Sequence, residues 1–318
     1  VTGGPPWSNV SNTPFRRHKA SNHEGGIAAP LIAWWPGVIE QAGAISHQPA
    51  HITDVTATCL EAAGVEYPAQ FPGRRVLPLA GQSLLPIFHG GQIDGPRTLC
   101  WATSGCRAIR SGAWKLVAAK GGHNAESHNH NDVGSFVVYA DGLPALIHVG
   151  VETYTAKTFS GRRYEIWTMQ SAFHNLPTIN GMMQKNGREF EAANVRYEST
   201  PERVRFRLDI AKAYPAEAAV RSWIRTMTLE RGKRVTIEES FELAAAREPV
   251  KLTLMSARRP IIDRDGRIEL EPPAEAPDVA RLAITYPAGL LTAAVEPIPL
   301  EDERMRSSWG EKVYRVLL

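Results

Sequence analysis

A group of histidines is the part of this sequence whose residue types and spacing best suit chemistry. Four of the ten histidines fall between His123 and His148, and the tightest pair, His128 and His130, is separated by one residue. In an extended segment, residues two apart point to the same face. The pair would then project side by side, and neighbouring strands could add His148 and, from farther along the chain, His174.

Two interpretations of this group differ in what the imidazoles do. Three neutral imidazoles on one face of a sheet suit a tetrahedral zinc ion with an open fourth position. Alternatively, histidines spaced by one residue are solvated or hydrogen-bonded side chains at the entrance of a strand. Spacing by itself favours the second interpretation, so zinc binding is a hypothesis that needs a further observation.

The histidines lie in a region whose pattern is typical of half-buried antiparallel strands. After about Lys120, short runs alternate between apolar and polar residues. The predicted strands are Ser135 to Tyr139, Ala145 to Val149, Arg203 to Ile210, Ser222 to Glu230, Arg234 to Leu243 and Val250 to Met255. Turn-forming pairs punctuate this region at Asp141-Gly142, Asn180-Gly181, Asn186-Gly187, Arg231-Gly232 and Asp265-Gly266. These signals predict an antiparallel β-sandwich.

The first third of the chain has a different composition, rich in Pro and Gly, with apolar runs such as Pro30 to Trp35. A core helix is predicted from about His51 to Ala63, with Gly64 placed to end it. Its apolar face would consist of Ile52, Val55, Thr56, Cys59 and Leu60. We therefore expect a small α/β fragment at 1–118 and a β-sandwich domain at 119–318.

Composition limits the classes of partner. The 318 residues contain 43% hydrophobic and 22% charged residues, enough for a buried core, and no apolar run approaches the roughly 20 residues that cross a bilayer. The net charge of +3 is spread among nearly equal numbers of acids and bases, so neither nucleic acid nor a membrane is a predicted partner. The first residues lack a signal-peptide pattern, which leaves secretion open. Cys59, Cys100 and Cys106 are predicted to be buried apolar residues, at least one of them unpaired.

The stretch KGGHNAESHNHNDVGSFVVYADGLPALIHVGVETYTAKTF, which begins at Lys120, and the later RRYEIWTMQSAFHNLPTINGMMQ carry a family resemblance. They resemble the carboxyl-terminal domain of heparinase II/III-like polysaccharide lyases, strongly from about 115 to 190 and as strand pattern to the end. The resemblance implies an antiparallel β-sandwich of a zinc-binding lyase. Such lyases cleave uronic-acid-containing polysaccharides, sulfated or not, by β-elimination.

The resemblance also implies roles for single residues. His128 matches the histidine at the family's active centre, and His130 and His174 match two zinc ligands. The remaining family ligand is an aspartate, and His148 stands in its place, which would raise the charge of the site by one. Asp132 would either orient an imidazole as a hydrogen-bond acceptor or cap the adjoining turn.

Catalysis in the family depends partly on residues of an amino-terminal helical toroid, and no part of this sequence resembles that toroid. The resemblance therefore implies metal and acidic-polysaccharide binding, with turnover by this chain left open. Tyr154 and Tyr164 lie near the motif and are expected to be packing aromatics. Members of the parent families are periplasmic or secreted.

The front of the chain resembles a different family. The segment SNTPFRRHKASNHEGGIAAPLIAWWPGV, from Ser11 to Val38, is similar to the later part of a sulfatase, and the likeness continues to about Val117. Lys19 and His23 would be remnants of its sulfate-contacting residues. The C-x-P-S-R or S-x-P-S-R motif that yields the nucleophile is not in this sequence, so both are expected to be solvated basic residues, and calcium is not expected.

Three functions stay open at this point. The first is the zinc-binding sandwich of a polysaccharide lyase, the second a sulfuric-ester hydrolase, and the third a carbohydrate-binding sandwich without catalysis. The oligomeric state is not predicted.

Overall fold

The computed structural model describes residues 24–71, 73–93, 97–103, 106–112, 114–118, 121–125, 129–141, 143–200, 202–273, 277–279 and 281–318. The chain divides into two compact units, one formed by Ala28–Leu99 and the other containing Cys100–Leu318. The boundary expected near residue 118 falls inside a sheet of the second unit, between strands Trp114–Ala118 and Phe136–Ala140, which pair directly. None of the helices among these residues is long and apolar enough to cross a bilayer.

The smaller unit contains the predicted helix, which spans Ile52–Ala62. A capping box begins it, because His51 Nδ1 accepts a hydrogen bond from the Thr53 amide at 3.4 Å and Asp54 Oδ2 accepts one from the His51 amide at 2.6 Å. Gly64 follows with φ of +65° and turns the chain away. The other elements of this unit are the helix Leu85–Phe88 and the paired strands β1 (Gln70–Phe71) and β2 (Arg74–Arg75).

The existence of this helix was predicted correctly, but its buried face was not. Asp54, Ala57 and Thr58 are buried, whereas Ile52 is 77% exposed and Cys59 is also exposed. Polar contacts decide the orientation, since Asp54 and Thr58 accept hydrogen bonds from backbone amides of the 82–84 segment. The prediction that the cysteines are buried is also wrong for Cys59 and, in the second unit, for Cys100.

The larger unit is built from antiparallel strands. They are β3 (Thr98–Thr103), β4 (Cys106–Ser111), β5 (Trp114–Ala118), β6 (His123–Asn124), β7 (Phe136–Ala140), β8 (Leu143–Leu146), β9 (Pro177–Thr178), β10 (Gly187–Glu191), β11 (Ala193–Ser199), β12 (Arg203–Asp209), β13 (Val220–Glu230), β14 (Arg234–Leu243), β15 (Lys251–Ser256), β16 (Pro260–Arg264), β17 (Arg267–Leu270), β18 (Leu282–Thr285), β19 (Ala294–Pro299) and β20 (Lys312–Leu317). The short α-helices are Glu24–Ile27 and Glu303–Trp309. The 3₁₀ helices are Ala156–Phe159, Arg163–Glu165, Trp167–Met169, Ser171–Phe173, Ala211–Ala213 and Ala216–Ala218.

These strands form several sheets, of which two enclose the main core. One has the order β3-β4-β5-β7-β8 and the other β11-β12-β13-β14. Phe136 and Val138 of the first sheet pack in one cluster with Phe206, Trp223 and Met227 of the second. This arrangement confirms the predicted antiparallel sandwich, with hydrophobic faces turned inward.

A further sheet supports the segment that follows β8. Its order is β19-β20-β15-β9, and smaller sheets join β16-β17-β18 and β10-β6. Ile147, Val149 and Met255 belong to a second hydrophobic cluster, and the Ile147 amide donates to the carbonyl of Met255 at 2.8 Å. The two clusters thus meet where the chain leaves one sheet and runs along the next.

The turn that the sequence predicts at Asn180-Gly181 is present in the structure. Asn180 and Gly181 have φ of +49° and +73° and close the tight bridge between Ile179 and Met182. Positive φ at both central residues is what an Asn-Gly turn supplies. The Asn180 side chain then donates to the carbonyls of Ala218 and Ala245, so the turn is tied to the rest of the sandwich.

Candidate metal centre

Three histidines from separate segments of the larger unit come together in one cluster. A ring nitrogen from each of His130, His148 and His174 lies within 4.8 Å of the other two. The ring centroids are 4.7 Å apart for His130 and His148, 4.8 Å for His148 and His174, and 5.4 Å for His130 and His174. All three predicted ligand residues therefore lie together in the folded chain.

His130 lies in the segment that leads into β7 and is buried. The following amide, that of Asn131, donates to the carbonyl of Met169 at 3.0 Å. His130 Nδ1 lies 2.8 Å from the carbonyl oxygen of Thr168. A carbonyl only accepts, so Nδ1 carries the proton and Nε2 keeps its lone pair for the centre of the cluster.

His148 lies in the extended segment after β8. Its neighbours Ile147 and Val149 are each 1% exposed and face the second hydrophobic cluster. Because side chains alternate along extended chain, His148 points to the opposite face, where 13% of its side chain is exposed. Its Nε2 lies 3.5 Å from Asp132 Oδ2, and its Nδ1 lies 3.0 Å from the amide nitrogen of Gly150.

His174 follows the 3₁₀ helix Ser171–Phe173 and is fully buried. Its Nδ1 lies 2.8 Å from the carbonyl oxygen of Gln170, which fixes the ring as His130 is fixed by Thr168. Its Nε2 lies 3.2 Å from Nε2 of His148. The 3₁₀ turns that precede His174 thus supply the carbonyls that orient two of the three rings.

Asn175, next to His174, connects the segments that carry the cluster. Its side-chain nitrogen donates to the carbonyls of Phe136 and Ile147, and its side-chain oxygen accepts from the amide of Met255. Asn175 is fully buried. Because these bonds reach β7, the residue before His148 and β15, one side chain holds three segments at fixed spacing.

A buried arginine of β13, Arg225, contacts the backbone of Asn175. Arg225 Nη1 donates to the carbonyls of Gly134 and Asn175, at 2.8 and 2.6 Å. Its guanidinium also pairs with the Glu239 carboxylate, which accepts a further bond from Trp223. The charge of Arg225 is therefore balanced inside the sandwich, and it anchors the carbonyl of the residue after His174.

The other predicted site residues have different outcomes. Lys19, His23 and His128 lie outside the described residues. Tyr164 accepts a hydrogen bond from the Asn129 side chain at 3.1 Å, directly beside His130. Tyr154 is 41% exposed, with Phe159 and the guanidinium of Arg304 against its ring.

The groups that orient the imidazoles could not be identified from the sequence. The carbonyls of Thr168 and Gln170 and the amide of Gly150 are backbone atoms, so no side-chain type marks them. Asn175 is the exception that a pattern could have suggested, since it directly follows His174 in the SAFHN segment. A polar residue beside a predicted ligand is a reasonable candidate for a positioning role.

The donor set fits a borderline metal ion such as zinc. Imidazole nitrogen is a preferred zinc donor, with Zn–N distances of about 2.0–2.1 Å and hence roughly 3.3 Å between donors in a tetrahedron. The 3.2 Å between His148 Nε2 and His174 Nε2 is close to that edge. His130 and His174 also present lone pairs on Nε2, as a metal requires.

Comparison with known proteins agrees with this architecture. The family model described as "Heparinase II/III-like, C-terminal" matches residues 101–281, more than half of the chain. Among solved structures, heparan sulfate lyase HepC from Pedobacter heparinus is similar with a TM-score of 0.53 at 16% identity, over 74% of this chain and 36% of that one. A structure of heparinase III gives a TM-score of 0.52 at 13% identity, over 74% of this chain and 37% of that one. At these identities the likeness shows a shared fold.

The front of the chain is similar to sulfatases. A sulfatase family model matches residues 4–65. The N-acetylgalactosamine-6-sulfatase of Canis lupus familiaris is 38% identical over 110 residues, which is 35% of this chain and 20% of that protein. The arylsulfatase of Klebsiella aerogenes is 35% identical over 88 residues, or 27% of this chain and 19% of that protein. The chain thus spans about a fifth of these sulfatases and just over a third of the lyase structures.

The two matches differ in extent, and the longer one covers the sandwich and its histidine cluster. The chain belongs to the heparinase II/III-like, C-terminal family.

Proposed function

We propose that the larger unit is the zinc-carrying sandwich of a polysaccharide lyase that acts on acidic, uronic-acid-containing glycans in a periplasmic or secreted setting. The observation that carries the proposal is the buried cluster of His130, His148 and His174 in a member of this family. The similar solved structures include that of a heparan sulfate lyase. An acidic glycan also suits a site in which three imidazoles lie together.

In this proposal, His130 and His174 hold the ion through Nε2, and His148 lies within ligand distance of them. When bound, zinc would supply positive charge and Lewis acidity toward an anionic sugar. The protein's own contribution is to fix the two rings through the carbonyls of Thr168 and Gln170. His128 is proposed to face the anionic sugar, as its match in the family implies.

β-Elimination at a uronate requires a base and an acid. The base removes the proton α to the carboxylate, the electron pair forms a carbon–carbon double bond, and the bond to the 4-linked oxygen breaks as that oxygen gains a proton. His128 is the candidate on this chain for charge stabilisation or proton transfer. Because the chain spans just over a third of the solved lyases, turnover by these 318 residues alone is not part of the proposal.

Metal content tests the metal part of this proposal. The purified chain, His130→Ala and His47→Ala would be dialysed against zinc and analysed by elemental mass spectrometry. His47 is exposed and lies in the smaller unit, so it controls for loss of an imidazole elsewhere. We expect about one zinc per chain in the native and His47 variants and none in His130→Ala. Equal zinc in all three, or none in any, would contradict the proposal.

Activity tests the lyase part. The native chain and His128→Ala would be incubated with uronate polymers, and the ultraviolet absorbance of the unsaturated product would be followed. Product from the native chain that disappears in the variant would support lysis by this chain. Glycan binding without product that is unchanged in His128→Ala would favour the non-catalytic carbohydrate-binding alternative.

A sulfatase function is the second candidate because of the 38% identity to N-acetylgalactosamine-6-sulfatase over 110 residues. Hydrolysis of an aryl sulfate by the purified chain would favour it. The sequence has no formylglycine motif of the C-x-P-S-R type, so we rank this function below the lyase.

A further inference from the structure

His148 differs from the other two histidines in how its ring is fixed. The amide of Gly150 donates to His148 Nδ1 at 3.0 Å. An amide N–H can only donate, so Nδ1 must present a lone pair. In the neutral ring the proton then lies on Nε2, the nitrogen that faces the cluster.

The two other rings have the opposite arrangement. Nδ1 of His130 and Nδ1 of His174 each lie 2.8 Å from a backbone carbonyl oxygen. These contacts require a proton on Nδ1 and leave the lone pair on Nε2. The cluster therefore contains two rings set as metal ligands and one ring set as a donor.

Donor and acceptor match across the closest contact. His148 Nε2–H faces the lone pair of His174 Nε2 at 3.2 Å, and Asp132 Oδ2 lies 3.5 Å from the same nitrogen. The distance alone would also suit two neighbouring zinc ligands. The Gly150 bond distinguishes the cases, because a ring that accepts at Nδ1 cannot bind a metal through Nε2 without losing its proton or turning over.

We infer that His148 is a positioning residue that donates its Nε2 proton to His174 and competes with metal there, rather than a third ligand. The inference rests on the proposed metal site. For an ion to bind Nε2 of His174, the hydrogen bond from His148 must break, and the His148 ring must tilt so that its Nε2–H points to Asp132. His148 would thus lower the affinity of the site for an ion.

The tautomers can be observed without metal. Long-range ¹H–¹⁵N correlation spectra of the metal-free, ¹⁵N-labelled chain distinguish protonated Nδ1 from protonated Nε2, and a His148→Ala variant assigns the ring of His148. We expect the Nε2–H form for His148 and the Nδ1–H form for His130 and His174. An Nδ1–H form for His148 would overturn the inference, whatever the metal content.

Zinc titration supplies the second test. With Zn²⁺ alone, we expect His148→Ala to keep one zinc per chain and to bind it about tenfold more tightly than the native chain, since one competing hydrogen bond is removed. His148→Asp should bind at least as tightly as His148→Ala, because it adds a carboxylate. If His148→Ala loses zinc as His130→Ala does, His148 is a ligand and the inference fails while the metal site stands. Absence of zinc from the native chain and both variants would instead contradict the proposed function, with the tautomers still deciding the inference.

Discussion

The two units of the chain differ in which groups they bury and which they expose. In the larger unit, Arg225, Asn175 and His174 are at most 2% exposed, and each has defined hydrogen-bond partners. In the smaller unit, Ile32 and Trp34 are 89% and 86% exposed. Leu31, Ile45, Ile52, Val65 and Leu77 of the same unit are each more than half exposed as well.

This difference shows that similarity to an enzyme family is not equivalent to possession of a site. Both regions resemble hydrolytic or eliminating enzymes in sequence, but buried polar networks that fix side chains are prominent in the larger unit. In the smaller unit, the buried carboxylate of Asp54 orients the helix Ile52–Ala62. This helix is far along the sequence from the histidines of the cluster. A site needs its ligands fixed by surrounding bonds, which is the feature that the following experiments perturb.

The largest effect is expected from Arg225→Ala. The substitution leaves the carboxylate of Glu239 without its buried partner and the carbonyls of Gly134 and Asn175 without their donor. Removal of one member of a buried pair destabilises a protein by about 3–5 kcal/mol. We expect a loss of that size in the free energy of unfolding in urea, together with loss of bound zinc.

Arg221→Ala is the matched control in the same strand. Arg221 pairs with Glu242 at the surface, where both side chains are 60% exposed or more. Surface pairs contribute about 0–1 kcal/mol, so this variant should unfold almost like the native chain. Equal effects of the two substitutions would show that the buried network does not hold the larger unit together.

The next effect is expected from Asn175→Ala. The carbonyls of Phe136 and Ile147 and the amide of Met255 lose their partner inside the core. Unsatisfied buried groups are each worth about 1–3 kcal/mol, partly relieved by relaxation, so we expect about 3 kcal/mol of destabilisation. Zinc affinity should fall as well, since Asn175 directly follows the proposed ligand His174 and fixes its segment. Asn186→Ala, at an exposed position, is the control and should change neither quantity.

The sequence predicted more of the sandwich than of the site. The alternation in Arg234–Leu243 gave the bounds of β14 correctly, because one face of that strand is apolar and a turn pair precedes it. The segment around His148 was predicted as strand, but β8 ends at Leu146 and the histidine follows in extended chain. The alternation of buried and half-buried side chains continues past the end of the hydrogen-bonded strand.

The orientation of the imidazoles was beyond the reach of sequence patterns. The four short 3₁₀ helices between residues 156 and 173 have neither the length nor the periodicity that marks a helix, and they supply the carbonyls of Thr168 and Gln170. For the helix Ile52–Ala62, the existence of the helix was predicted correctly. Its buried face was not, since Asp54 faces inward. A buried carboxylate with three partners overrides the apolar face.

A smaller effect, confined to the smaller unit, is expected from Asp54→Asn. Burial by itself would raise the pKa of Asp54, but hydrogen bonds from Arg97 and from the amides of His51 and Gln82 outweigh it and hold the pKa below its usual value. The substitution weakens these charged hydrogen bonds, and we expect a loss of about 1–2 kcal/mol. Hydrogen exchange should become faster for the amides of 52–62, whereas zinc content should stay unchanged.

The same carboxylate predicts a pH dependence. Because its pKa is lower in the folded unit than in the unfolded chain, where it is about 3.9, its contribution is present above that pH and is lost as the pH falls below it. Protection of the 52–62 amides should therefore decrease on acidification below about pH 4. Asp54→Asn should show a flatter dependence; an equally steep one would assign the effect to other groups.

The smallest effect on stability, with a distinct effect on association, is expected from Ile32→Ser. A single exposed side chain contributes little to folding, so the free energy of unfolding should change by less than about 0.5 kcal/mol. Ile32 nevertheless lies beside Leu31 and Trp34 in one exposed apolar segment, and contiguous apolar surface promotes association. Light scattering should therefore show less self-association for Ile32→Ser, and less change for Leu290→Ser, which removes a similarly exposed residue of the larger unit. If both variants associate as the native chain does, the exposed apolar residues of the smaller unit do not govern its solubility, and the contrast between the units is limited to their interiors.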